Sequence, residues 1–266
     1  MTQYVKFLAM SCPHFPYQDK AGVTWLIKEI SDYKPEVIVL LGDVCDTECL
    51  SRFAKQNAIS LVQEYQEVDK FAERINDHAH GAKVVWMQGN HEERCFRPDY
   101  SALSELIDYR IHVKASSKWT HYPYELRQDK CFSIGQVTFA HGWNTNDASI
   151  KKETIILGVP NGLYIHGHTH RPHCVKQVKM GAVDLPYWYA NTGTFIQTNP
   201  KPEYMKKRDD HQWGQGLVIG HANPKRRWGH KCDWAARLLL RKMAWWKGEK
   251  TRIINRDLIT PQYGPS

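Results

Sequence analysis

Three histidines fall within the five residues His166-Gly167-His168-Thr169-His170, directly after the apolar run Leu163-Tyr164-Ile165. Imidazoles at that density are either metal ligands or a polar turn, and the spacing alone does not separate the two. What separates them is whether other metal-binding side chains arrive at the ends of other predicted strands. Four more segments do: Ser11-Cys12-Pro13-His14, Gly42-Asp43-Val44-Cys45-Asp46, Gly89-Asn90-His91-Glu92 and His141-Gly142. Taken singly, Gly-Asp and Gly-Asn-His are ordinary turn sequences, because Asp and Asn tolerate turn conformations. Five such segments, each closing a predicted strand, point instead to a metal site, since ligand sites in open α/β sheets assemble at the carboxyl ends of strands.

The elements that must carry these segments can be read from periodicity. Tyr4 to Met10 reads as a buried strand, and a helix is predicted over Gln18 to Asp32 with Ala21, Trp25, Ile27 and Ile30 inward. The β-branched run Glu36 to Leu41 has the continuous apolar character of a central parallel strand. Ala58, Leu61, Tyr65, Val68, Ala72, Ile75 and Ala79 step by three and four residues as a helix does. Lys83 to Met87 supplies a third strand. This alternation predicts an α/β fold. Cys131 to Ile134, Val137 to Ala140, Leu163 to His166, Cys174 to Met180 and Tyr187 to Ala190 are richer in strand and predict a second sheet packed on the first.

The order of the five segments resembles the calcineurin-like metallophosphoesterase superfamily, whose pattern runs D-x-H, G-D-x-x-D, G-N-H-[DE], H and G-H-x-H. The resemblance covers about residues 5 to 195 and implies a two-sheet β-sandwich flanked by helices. It further implies two transition-metal ions per chain (manganese, iron or zinc). One would be held by Cys12, His14, Asp43 and His170, the other by Asp43, Asn90, His141 and His168, with Asp43 bridging. Two cations about 3.5–4 Å apart can hold a bridging hydroxide that attacks phosphorus in line. By the same resemblance His91 protonates the leaving oxygen and Asp46 sets its tautomer. Arg94 and Arg97 are candidates to clamp the phosphate, the alternative for Arg94 being a structural ion pair.

The pattern breaks at its first residue, where Cys12 replaces the aspartate. Either Cys12 is a thiolate ligand, which favours zinc or ferrous iron, or it is a small buried residue beside a weak or empty site. The other cysteines, Cys45 included, read as packing residues. Thr47 and Glu48 follow Asp46 where protein phosphatases of the superfamily carry Arg-Gly, which argues against a phosphoprotein substrate. The expected activity is hydrolysis of a phosphate ester, a diester of nucleic acid or nucleotide type. The alternatives are a small-molecule phosphomonoesterase or nucleotidase, and a nucleic-acid-binding protein with a degenerate metal site.

Seven scattered cysteines without a C-x-x-C pair suggest neither a disulfide framework nor a zinc knuckle. With no basic leader and no long apolar stretch, the chain is expected to be cytoplasmic, without a membrane partner. The formal net charge is +8 over 266 residues, and it is uneven. Residues 199 to 266 hold 15 Lys and Arg against 6 Asp and Glu, whereas residues 1 to 198 hold 21 against 22. A catalytic domain is therefore expected over residues 1–198 and a basic strand-and-helix extension over residues 199–266. Gly216 to Gly220 is the predicted strand, and Asp233 to Lys247 the predicted helix, with Asp233 as N-cap and Trp234, Leu238, Leu239, Met243, Trp245 and Trp246 on its apolar side. Lys225, Arg226, Arg227, Arg237 and Arg241 are candidates to bind a nucleic-acid backbone, unless the tryptophans pack on the core and the charges are solvated.

Overall fold

The computed structural model describes residues 3–52, 59–180, 183–198, 212–228 and 231–241. The first strand, β1 (Val5–Met10), runs into helix α1 (Lys20–Tyr33), β2 (Val37–Leu40), helix α2 (Leu61–His78) and β3 (Lys83–Met87). Two single-turn helices, α3 (Ser104–Ile107) and α4 (Tyr109–His112), precede β4 (Thr120–Tyr122). Then come β5 (Phe132–Ile134), β6 (Val137–Phe139), helix α5 (Asp147–Leu157), β7 (Leu163–His166), β8 (His173–Met180), β9 (Val183–Asn191), β10 (Gln215–Ala222) and β11 (Trp234–Arg241). Ala58, expected on the second helix, lies outside the described residues.

These strands form two mixed sheets, ordered β11-β10-β1-β2-β3-β4 and β5-β6-β7-β9-β8. Side chains alternate across each strand, and the alternation fills two cores. Phe7, Ala9, Val37, Val39, Val85 and Met87 face the second sheet, meeting Phe139, Leu163 and Ile165. Leu8, Met10, Ile38, Leu40, Val84 and Trp86 face the helices, meeting Leu26, Ile30, Val68, Phe71 and Ile75. Burial on both faces explains why these strands read as unbroken apolar runs. Helix α5 covers the outer face of the second sheet, where Ile150 and Leu157 meet Tyr164 and Tyr189. The helix starts are capped: Asp19 accepts from the amides of Ala21 and Gly22, Ser60 from Gln63, and Asn146 from Ser149.

The expected helix over Asp233 to Lys247 is corrected: Trp234–Arg241 is strand β11, antiparallel to β10 over eight residue pairs. Ala, Leu and Arg are good helix formers, but propensity is a weak prior beside an open sheet edge. Read with period two, Trp234, Ala236 and Leu238 enter the sandwich core, and the Trp234 indole donates to the Asn161 carbonyl at 2.8 Å. Asp233 caps no helix; its carboxylate accepts from Tyr4 and Asn223. Met243, Trp245 and Trp246 lie outside the described residues. Strand β10 pairs with β1 from Val5↔Ala222 to Ala9↔Val218, so residues on both sides of the expected boundary at 198 share one sheet.

Candidate metal centre

The carboxyl ends of β1, β2, β3, β6 and β7 converge, and local backbone structure aims their side chains. After β1, the amides of Cys12 and His14 donate to the carbonyls of Gly42 and Asp43 at 3.0 Å each, which locks the first two loops together. Gly42 has φ +91°, and a Cβ there would lie 2.5 Å from the Gly89 nitrogen, so only glycine allows the second and third loops to approach. Cys12, His14, Asp43, His168 and His170 all have φ between +49° and +64°. Left-handed backbone costs a non-glycine residue about 1–3 kcal/mol and persists where the surroundings over-determine it. Its concentration on these residues marks the site as built.

The Glu92 carboxylate fixes the turns. It accepts from the amides of Asp43 (2.9 Å), Val44 (2.6 Å), Cys45 (3.0 Å) and Gly89 (2.8 Å), and it is fully buried. The sequence showed Glu92 only as the acid after Asn90-His91; nothing in the motif announces a staple between two loops.

Three groups of donor atoms lie close together among the described residues: one is His14 with Asp46 and His91, and the other two share Asp43. In one of the two that share Asp43, a ligand atom from each of Cys12, His14, Asp43 and His170 lies within 4.8 Å of the others. His14 Nε2 is 3.1 Å from His170 Nε2 and 3.7 Å from Asp43 Oδ2. In the other, His141 Nε2 lies 3.2 Å from Asp43 Oδ2, from Asn90 Oδ1 and from His168 Nδ1. His141 Nδ1–H donates to the Leu41 carbonyl at 2.6 Å, leaving Nε2 to present its lone pair inward. Lone pairs of imidazole, carboxylate and amide oxygen converging on common points suit a transition-metal cation.

Electrostatics agree with that role. Burial, then the neighbouring His14, holds His170 well below the ordinary histidine range. Burial and His141 bring His168 down to about 4, and burial and His91 lower His14. These three imidazoles are therefore neutral near pH 7, the ligand form. Burial opposes ionisation of Asp43, but His141, His91 and His14 outweigh it and hold the carboxyl well below its usual range. His91 and His141 go the other way: against the effect of burial, Asp43 raises both, with Asp46 adding to the effect at His91.

Asp46 orients two imidazoles. Its Oδ1 lies 2.9 Å from His14 Nδ1 and 3.2 Å from His91 Nδ1, and its carbonyl accepts from His91 Nδ1–H at 2.6 Å. The contact with His14 adds a second partner to the one that the resemblance implies, His91. Two arginines expected near substrate make their polar contacts within the chain: Arg94 Nη1 donates to the carbonyls of Asp46 (2.8 Å) and Thr47 (3.2 Å), and Arg97 Nε donates to Glu93 at 3.3 Å. Aromatic side chains that no motif carries flank the centre. Trp213 packs edge-on to His170 at 4.5 Å, and Tyr124, stacked on Trp143, packs edge-on to His141 at 5.8 Å.

The basic residues are not gathered at this centre. Exposed Lys225, Arg226 and Arg227 follow Ala222, which pairs with Val5 at the start of β1, whereas the centre lies beyond Met10 at its end. Strand β1 spans about 17–20 Å. Arg237 is exposed opposite Ile219, and Arg241 is tied to Asp19 at 2.9 Å and Gln215 at 2.5 Å.

Two sheets flanked by helices, with a buried centre of His, Asp and Asn at converging strand ends, define a class of metal-binding α/β sandwich. The model of the calcineurin-like phosphoesterase family matches residues 5–172, and the chain belongs to that family. Among solved structures it is similar to YfcE, a phosphoesterase from E. coli, at 16% identity over 83% of this chain and 93% of that one, TM-score 0.42. It is also similar to Vps29 from Cryptosporidium parvum (14% identity, 90% and 99% covered, TM-score 0.40) and from Chaetomium thermophilum (11%, 90% and 90%, TM-score 0.45). No curated protein sequence matches the chain. Among the described residues no helix is long and apolar enough to cross a membrane.

Proposed function

We propose that the chain is a dinuclear metal-dependent phosphoesterase acting on phosphodiesters of nucleotide type. The observation that carries this reading is the single Asp43 oxygen, Oδ2, that both donor clusters share. Cys12, His14, Asp43 and His170 would hold one cation; Asp43, Asn90, His141 and His168 would hold the other. Bound metals would supply the activation of water and the neutralisation of phosphoryl charge. The chain supplies the proton for the leaving oxygen. His91 is raised by Asp43 and Asp46, and with Nδ1–H given to the Asp46 carbonyl it keeps Nε2–H for donation. Trp213 and Tyr124, packed edge-on against the imidazoles of His170 and His141, with Trp143 stacked on Tyr124, favour an ester bearing a planar group. The distance of Lys225, Arg226 and Arg227 from the centre favours a nucleotide over a long nucleic acid.

The test is metal-loaded protein assayed side by side on bis(p-nitrophenyl) phosphate and p-nitrophenyl phosphate. Wild type is expected to hydrolyse the diester faster, and His91→Ala to lose about 10²–10⁴-fold in kcat with metal content unchanged. Faster hydrolysis of the mono-ester would move the reading to a phosphomonoesterase. No turnover of either ester by fully loaded wild type would overturn the enzyme reading.

A further inference from the structure

Cys12 stands where the family pattern has an aspartate, and a small thiol could merely fill space there. The buried cysteines Cys45, Cys95 and Cys131 do that, each inside an apolar cluster. Cys12 is equally buried but belongs to none of the apolar clusters among the described residues. Its sulfur lies instead within 4.8 Å of the donor atoms of His14, Asp43 and His170. The backbone that aims it there is left-handed, φ +55°. Three hydrogen bonds hold that conformation: Cys12 N–H to the Gly42 carbonyl at 3.0 Å, and Phe195 N–H (3.0 Å) and Thr194 Oγ1 (2.7 Å) to the Cys12 carbonyl.

We propose that Cys12 binds metal as a thiolate and makes the two halves of the centre chemically unequal. One half presents two imidazoles, a carboxylate and a thiolate; the other presents two imidazoles, an amide oxygen and the shared carboxylate. On binding, the thiol proton leaves to solvent and the sulfur donates a lone pair, with no change of oxidation state. Thiolate is the softer donor, so the Cys12 half selects zinc, ferrous iron or cobalt, while the oxygen-richer half also accepts manganese. The inference rests on the metal centre of the proposed phosphoesterase, and the experiment separates the two.

The experiment is an anaerobic titration of the metal-free full chain with Co(II), followed by absorption spectroscopy. Wild type is expected to develop a near-ultraviolet sulfur-to-cobalt charge-transfer band, and Cys12→Ser to lose that band while keeping the visible cobalt bands of the other half. The affinity for the thiolate-bound equivalent should fall by more than about 100-fold, the upper range for loss of a ligand's supporting partner. Cys12→Asp guards against misfolding: it should stay folded, bind Co(II) without the band and take up manganese in both halves. Two equivalents of cobalt without a charge-transfer band, or a band that survives Cys12→Ser, would overturn thiolate ligation and leave the phosphoesterase reading standing. Failure of wild type to bind any cobalt would overturn both.

Discussion

At the scale of single residues, the centre sorts its histidines by charge. Burial brings His168 down to about 4, so between pH 6.5 and 4 an unfolded chain takes up a proton there that the folded chain refuses. That contribution to stability is present above pH 6.5 and is lost as pH falls toward 4, at about 1.4 kcal/mol per pH unit. His91 and His141, raised by Asp43, carry the opposite sign: they stabilise fully below pH 6.5, and their contribution fades as pH rises through their folded values. Comparing variants cancels these background groups. Metal-free His168→Asn is expected to lose stability less steeply than wild type between pH 6 and 4.5, by about 1 kcal/mol per pH unit, read from denaturation midpoints; parallel slopes would contradict the charge state assigned to His168. The donor residues could be read in the sequence because they cluster just after predicted strands, four of them (Asp43, Asn90, His141 and His168) directly beside a glycine. The tautomers could not, because they depend on carbonyls such as Leu41 and Asp46, whose positions no motif encodes.

At the scale of elements, the site is a set of loops tied to one another. Glu92 holds four amides from the turns after β2 and β3. Glu92→Ala would leave those buried donors without an acceptor, at about 1–3 kcal/mol each where water cannot replace it. The variant is expected to lose at least about 3 kcal/mol in chemical denaturation and to bind metal more weakly; a loss under about 1 kcal/mol would show that the turns stand without it. The strands from β1 to β9 that carry the site were legible from apolar runs and turn residues, apart from β4, whose three half-buried residues give no pattern. The sequence Trp234 to Arg241 misled because its leucines and alanines satisfy a helical stripe and a strand alternation at once. The edge of β10, which decides between them, is a tertiary fact.

At the scale of the whole molecule, β10 lies between β1 and β11 and so completes the sheet whose opposite strands, β1 to β3, feed the centre. Composition sums the charge of residues 199–266 without placing it, and of their basic residues the described ones are Lys225, Arg226, Arg227, Lys231, Arg237 and Arg241. Antiparallel pairing sends Lys225, Arg226 and Arg227 to the end of the sheet away from the candidate metal ligands and returns Arg241 to a pairing with Asp19. What the molecule concentrates in one place is a double set of candidate metal donors around Asp43. The most direct test is the metal content of anaerobically purified protein, by elemental analysis against protein concentration. About two equivalents per chain, with zinc or iron in one of them, is the predicted result. One equivalent or less, even after loading with manganese and zinc, would contradict the dinuclear centre.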